Sequence, residues 1–144
     1  LMMRVETNSP EETQAFAQRL AGLLRPGDLI AYTGPMGAGK TTFTAGLARG
    51  LGLGDWVSSP TFALVHQYAD GAGPSLCHFD MFRIDSPEDL YSTGFFDYLD
   101  GRNILAVEWS EKIAGSLPPD AITVDLQPAG ETRRIITVTG DERF

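Results

Sequence analysis

The stretch Gly34-Pro35-Met36-Gly37-Ala38-Gly39-Lys40-Thr41-Thr42 carries the pattern G-x-x-x-x-G-K-T. Glycines at this spacing let a loop wrap a polyphosphate closely enough for successive backbone N–H groups to point inward. Side chains at Gly37 or Gly39 would block that approach or forbid the backbone angles. Lys40 supplies a mobile cation for the β and γ phosphates, and Thr41 offers a hydroxyl to Mg²⁺. Gly37, Ala38, Gly39, Lys40, Thr41 and Thr42 are therefore the expected phosphate-binding residues, with a nucleoside triphosphate as ligand and Mg²⁺ as its metal. Such a loop also needs a carboxylate at the C-terminal end of a neighbouring strand. Two candidates fit, Asp80 after Leu76-Cys77-His78-Phe79 and Glu108 after Ile104-Leu105-Ala106-Val107. Pattern alone leaves open which one ligates the metal and which orients the attacking water. His78 shares a strand face with Asp80, and Trp109, directly after Glu108, is placed to pack on a nucleotide or a partner.

These residues need strands and helices to position them. The apolar run Leu29-Ile30-Ala31-Tyr32 predicts a strand ahead of the loop, and a helix from about Thr41 ends in the glycines between Gly50 and Gly54. Upstream, Arg4 to Thr7 reads as a short strand. Ser9-Pro10-Glu11-Glu12 then gives an N-cap, a first-turn proline and a capping-box glutamate for a helix carrying Phe16, Leu20, Leu23 and Leu24. Downstream, residues 63–68 and 75–81 form an expected hairpin. Ser86-Pro87 starts a short helix, with a second over Phe95 to Leu99. The run Asn103 to Val107 predicts a strand covered on both faces, followed by a short helix near Ser110 to Ala114. Strands at 121–126 and 134–139 close the chain as an antiparallel hairpin. The predicted fold is α/β: residues 1–144 as a single P-loop NTPase domain, with a mixed, mostly parallel sheet, flanking helices and antiparallel hairpins.

Composition narrows the function. The 144 residues hold 11 basic and 19 acidic side chains, a net charge of −8, which suits a stand-alone binder of nucleic acid poorly. Any nucleic acid would have to be held by a partner's basic surface. No apolar run approaches the ~20 residues of a membrane span, and the N-terminus lacks the charged and apolar regions of a signal peptide, so a cytoplasmic location is expected. The single Cys77 sits in an apolar run and reads as a small core residue.

Gly34 to Thr42, Ser59-Pro60-Thr61-Phe62, His78-Phe79-Asp80-Met81-Phe82-Arg83 and Val107-Glu108-Trp109 occur in this order. Together they resemble the TsaE (YjeE) family of bacterial ATPases, and the resemblance covers nearly the whole chain. It implies that Thr41 and Glu108 bind Mg²⁺, that Asp80 is the Walker B acid needed for hydrolysis, and that Thr61 belongs to a nucleotide-sensing switch with Ser58 to Phe62. Thr13 matches a threonine near the nucleotide base, and Arg133 and Arg134 of the last hairpin are placed toward that base. Phe82 departs from the tyrosine usual in the family, so no hydroxyl role transfers there, and Arg83 is the matching residue.

The resemblance further implies hydrolysis of ATP in support of the complex that installs threonylcarbamoyl on adenosine 37 of tRNAs reading codons that begin with A. TsaD and TsaB are the implied partners, and tRNA is engaged only through them. Lys40, Asp80 and Glu108 are then the catalytic residues. Two other functions share the phosphate loop. A small-molecule or nucleoside kinase needs an acceptor pocket and a lid, for which the short segments leave little room. A GTP-dependent binding switch would carry an Asn-Lys-x-Asp sequence to read guanine, which this chain does not contain.

Overall fold

The structure, a computed structural model, describes residues 2–53, 57–58, 65–70 and 74–144. Its eight strands are β1 (Met2–Thr7), β2 (Leu29–Thr33), β3 (Val57–Ser58), β4 (Val65–Tyr68), β5 (Leu76–Asp80), β6 (Ile104–Glu108), β7 (Ile122–Pro128) and β8 (Arg134–Thr139). They form one sheet in the order β1-β8-β7-β2-β6-β5-β4-β3. The four central strands β7, β2, β6 and β5 are parallel, whereas β4 and β8 run against their neighbours in antiparallel pairs at the two sides. This is the mixed α/β sheet expected, with both predicted hairpins in place. The helices are α1 (Pro10–Ala21), α2 (Lys40–Gly50), α3 (Pro87–Ser92) and α4 (Phe95–Tyr98). Among the described residues no helix is long and apolar enough to cross a membrane.

The central strands are apolar throughout because both faces are covered. Ile30, Tyr32, Leu76, Ile104 and Ala106 join a core with α1 and α2. Their sequence neighbours Leu29, Ala31, Cys77, Leu105 and Val107 join the opposite core with Leu90, Phe95 and Ile113. This alternation follows from the two-residue period of a strand. It has a direct consequence for the site: His78 and Asp80 share the parity of Leu76, and Glu108 that of Ile104 and Ala106. All three therefore belong to the α2 side of the sheet. Cys77 is fully buried, and burial pushes its thiol up to about 12, so it packs as a small core residue.

Local chemistry sets the helix starts. Ser9 accepts a hydrogen bond from Glu12 N at 3.1 Å, with Pro10 in the first turn. The Glu12 carboxylate reaches back to Asn8 N at 3.1 Å, one residue before the cap. Ser86 caps α3 in the same way through Asp89 N at 3.1 Å. The short helix expected near Ser110 is present as a 3₁₀ segment, Ser110–Ser116, in which Ile113 departs from helical angles at φ −126 and ψ 28. A run this short lacks the length that favours α-helical bonding. At the other end of the molecule Arg143 donates to Asp28 (2.8 Å), Asp141 (2.8 Å) and the carbonyl of Leu23 (2.9 Å), tying the last residues to the α1–β2 connection.

Helix α2, which begins inside the phosphate-loop pattern, is fixed by close packing on α1. A Cβ on Gly46 would lie 2.5 Å from the carbonyl oxygen of Gln14 and 2.8 Å from the Ala17 methyl. Alanine in a helix interior ordinarily stabilises by roughly 1 kcal/mol relative to glycine. Here the sign should reverse, because backbone of α1 would have to move. Gly46→Ala should lower stability by about 1–3 kcal/mol, read as a shift in the urea midpoint.

Candidate functional site

Strand β2 delivers its chain to the loop at Thr33, whose hydroxyl donates to Asp125 on β7 at 2.6 Å. Gly34 follows at φ +117, and a Cβ there would run into the carbonyl oxygen of Leu126. Only glycine permits that turn. Lys40 Nζ donates to the Gly34 carbonyl at 2.6 Å, laying the lysine back across the loop. From outside, Arg134 donates to the carbonyls of Ala38 (3.1 Å) and Gly37 (3.2 Å). Gly39, at φ 103, is the N-cap of α2 and brings no side chain to the cap, and the first turn carries no acid. The N–H groups that a serine or aspartate cap would occupy are left for an anion, beside the positive end of the helix dipole.

The first turn of α2 is tied to the sheet. Thr44 donates to the Lys40 carbonyl at 2.8 Å, so in the 2.7 Å pair between Thr44 and Tyr32 the tyrosine hydroxyl donates. Tyr32 is almost fully buried and packs edge-on against Phe43 and His78. Burial holds its phenol protonated far above neutral pH.

Asp80 and Glu108 are register partners on adjacent parallel strands, but their surroundings differ. Asp80 is exposed and accepts from Phe82 N at 3.0 Å. Glu108 is half-buried, and its Oε2 lies 2.7 Å from Nε2 of the buried His78. An ionised carboxylate only accepts, so the imidazole carries its proton on Nε2. That bond holds the Glu108 carboxyl below its ordinary value against the opposing effect of burial, helped by the positive charge of Lys40. The next residue, Trp109, is the only non-glycine at positive φ among the described residues, at 57°. The conformation costs roughly 1–2 kcal/mol. It turns the chain sharply out of β6 into the 3₁₀ segment, while Met81 N bonds the Glu108 carbonyl at 3.0 Å. The Trp109 ring packs on Phe82 with centroids 5.0 Å apart.

These parts enclose a cavity of about 440 Å³. Gly37, Gly39, Lys40, Thr41 and Thr42 form its floor, and Asp80, Glu108 and Trp109 stand at the strand ends. Thr13 and Arg134 reach it from the opposite wall. Thr13 is buried and held by a 2.6 Å bond to the Thr7 hydroxyl. Ala38 is fully buried in the core and is not among the residues that line the cavity. Thr61 and the rest of the expected switch, Ser59 to Phe62, lie outside the described residues, whereas Ser58 ends β3. Met36 of the glycine-rich loop and Pro10 at the start of α1 also line the cavity, as do Glu131 and Thr132 of the β7–β8 turn, which no motif in the sequence marks. A second cavity of about 290 Å³ shares Thr41, Asp80 and Glu108 and adds His66, Tyr68 and His78, so Glu108 forms part of the wall of both.

The carboxylate is the form of Glu108 that His78 stabilises. The stabilisation is complete above the ordinary glutamate value of 4.5 and is lost as pH falls through the depressed one. In a carboxyl-detected NMR titration Glu108 should titrate below the ordinary glutamate value, and His78→Ala should move it back upward. An unchanged midpoint in that variant would show that the bond does not govern the carboxylate.

Residues 7–136 match the family described as "Threonylcarbamoyl adenosine biosynthesis protein TsaE". The tRNA threonylcarbamoyladenosine biosynthesis protein TsaE of Bacillus subtilis (strain 168) is 41% identical over 138 residues, which cover 95% of this chain and 85% of that protein. Its namesake from Haemophilus influenzae is 40% identical over 121 residues, 83% of this chain and 76% of the relative. A crystal structure of Bacillus subtilis YdiB aligns with a TM-score of 0.78 at 34% identity, covering 97% of this chain and 86% of the other. With its phosphate loop, paired strand-end acids and nearly full-length similarity, the chain belongs to the TsaE family, whose named members serve tRNA threonylcarbamoyladenosine biosynthesis.

Proposed function

We propose that this chain binds ATP with Mg²⁺ in the 440 Å³ cavity and hydrolyses it in support of a TsaD–TsaB complex that modifies tRNA with threonylcarbamoyl. One observation carries the reading: the uncapped N-terminus of α2, Lys40 and two strand-end carboxylates converge on one cavity. The exposed Thr41 hydroxyl and the Glu108 carboxylate are hard oxygen donors of the kind Mg²⁺ prefers, so these two residues would hold it. When bound, that ion supplies charge neutralisation at the phosphate oxygens.

The chain's own groups account for the rest. The loop N–H groups and Lys40 take up the negative charge that develops as water attacks the γ-phosphorus and the bond to the β–γ bridging oxygen breaks, releasing ADP and phosphate. Asp80, exposed and without a histidine partner among the described residues, is suited to orient the attacking water. Thr13 and Trp109 flank the nucleoside side, and the absent guanine-reading sequence supports adenine as the base. A net charge of −8 supports the assignment of tRNA contact to the partners. Ordering of Ser58 to Phe62, including Thr61, against the γ-phosphate is the proposed route by which the nucleotide state reaches TsaD and TsaB.

Steady-state phosphate release should be slow for the isolated chain, faster with the TsaB and TsaD pair, and abolished in a folded Lys40→Ala variant. Equal rates with and without the pair, and no ATP-dependent co-elution, would refute the partner assignment. Hydrolysis at the wild-type rate by folded Lys40→Ala would refute the site itself.

The two acids should fail differently. Glu108→Ala should weaken nucleotide binding only when Mg²⁺ is present, whereas Asp80→Ala should bind ATP and lose turnover, by roughly 100-fold or more. Titration with a fluorescent nucleotide, with and without Mg²⁺, separates them, and a Glu108→Ala protein with wild-type Mg²⁺ dependence would reverse the assignment.

A further inference from the structure

Two arginines of this chain meet contrasting partners. Arg143 is met by the carboxylates of Asp28 and Asp141. Arg134 donates only to backbone carbonyls among the described residues. Its Nε and one terminal nitrogen reach Ala38 and Gly37 in the phosphate loop. Its other terminal nitrogen reaches Arg133 at 2.9 Å and, at longer range, Gly130 (3.3 Å) and Glu131 (3.4 Å). A planar guanidinium with donors fixed in a fork is suited to hold two successive carbonyls at once. A trans peptide carries its C=O and N–H in opposite directions, and the described chain contains no cis peptide. Drawing the carbonyls of Gly37 and Ala38 toward Arg134 therefore turns the N–H groups of Ala38 and Gly39 the other way, toward the inside of the loop. The guanidinium charge, unmatched by a carboxylate, stays behind an anion-binding turn.

Arg134 is itself well anchored. It opens β8 and stands opposite Pro128 on β7 and Thr7 on β1, and Thr7 in turn holds Thr13. The last hairpin is thereby joined to a loop 97 residues earlier in the chain. We propose that Arg134 is a positioning residue of the phosphate loop: by holding the Gly37 and Ala38 carbonyls outward it presets the loop amides for phosphate, and it does not read the base. The inference rests on the nucleotide site proposed above.

The test uses competition against a fluorescent ADP, with ATP and inorganic tripolyphosphate as competitors, on the full chain and its Arg134→Ala and Arg134→Lys variants. Melting temperature and far-UV circular dichroism report folding. Arg134→Ala should weaken both competitors by the same factor, about tenfold or more for the loss of two charge-assisted hydrogen bonds. Arg134→Lys, which keeps the charge and loses the fork, should recover only part of that. Weakening confined to ATP would make Arg134 a base contact and overturn the proposal. Full recovery by lysine would reduce it to a charge effect, and unchanged affinity in Arg134→Ala would remove it. Where Arg134→Ala fails to fold, Arg134→Lys decides: wild-type affinity for both competitors overturns positioning, and an equal loss for both supports it. Lys40→Ala measured in parallel separates this from the site itself. A loss there with none at Arg134 defeats only the present inference, whereas failure of the wild-type chain to bind ATP defeats both.

Discussion

A loop that binds an anion through its own backbone must be empty on the inside and held from the outside. That constraint explains why the residues around Gly34 to Gly39 are arranged as they are. Gly34 turns against the Leu126 carbonyl where no side chain fits, Thr33 is tied to Asp125, and Arg134 takes the carbonyls of Gly37 and Ala38. Strand β7 and the start of β8 therefore serve as the outer frame of a loop that belongs, in sequence, to β2 and α2. Lys40 lies back on Gly34, where a single mobile cation can exchange a carbonyl for a phosphate oxygen at little cost in side-chain order.

The acids obey a different rule. Strand parity assigns Asp80, His78 and Glu108 to the α2 side, and the parallel register of β5 and β6 sets the two carboxyls abreast. What separates them is burial. Glu108 sits deeper with an imidazole donor to hold its charge, and Asp80 stands in solvent with a backbone N–H. A carboxylate that is desolvated and oriented is prepared to meet a cation, and one that is hydrated is free to handle water. The strained turn at Trp109 belongs to the same design, because it ends β6 abruptly enough to leave Glu108 at the rim.

The order of elements was legible because each depends on local pattern: serine–proline helix starts, apolar runs of strand length, and the glycine spacing of the loop. The two acids could be found in the same way, as charged ends of apolar strands. Their inequivalence could not, since it arises from His78 and from packing that sequence spacing does not encode. The far wall of the cavity was equally silent. Glu131 and Thr132 carry no motif and reach the site only through the pairing of β8 with β7 and β1. Arg134 was expected toward the base; its hydrogen bonds to the loop carbonyls, a destination set by hairpin register, carry no signal in the sequence. The short helix expected after Trp109 is there as a 3₁₀ segment, its hydrogen-bonding type being set by shortness and the kink at Ile113 and not by any pattern in the sequence.

The pairing of β1 with β8 also has a bearing on how the molecule comes together. Six register pairs join Met2–Thr7 to Arg134–Thr139, so β1 pairs with a strand that every other element of the sheet precedes in sequence. Closing so long a loop is entropically slow, and contacts of this range tend to form late. The phosphate loop and α2 can take shape against β2 and β6 well before β8 is available. The cavity wall that includes Thr13 and Arg134 cannot. Until the last hairpin docks, the glycine-rich loop lacks the brace that Arg134 gives it, so the outer support of a locally formed loop depends on the longest-range pairing in the sheet.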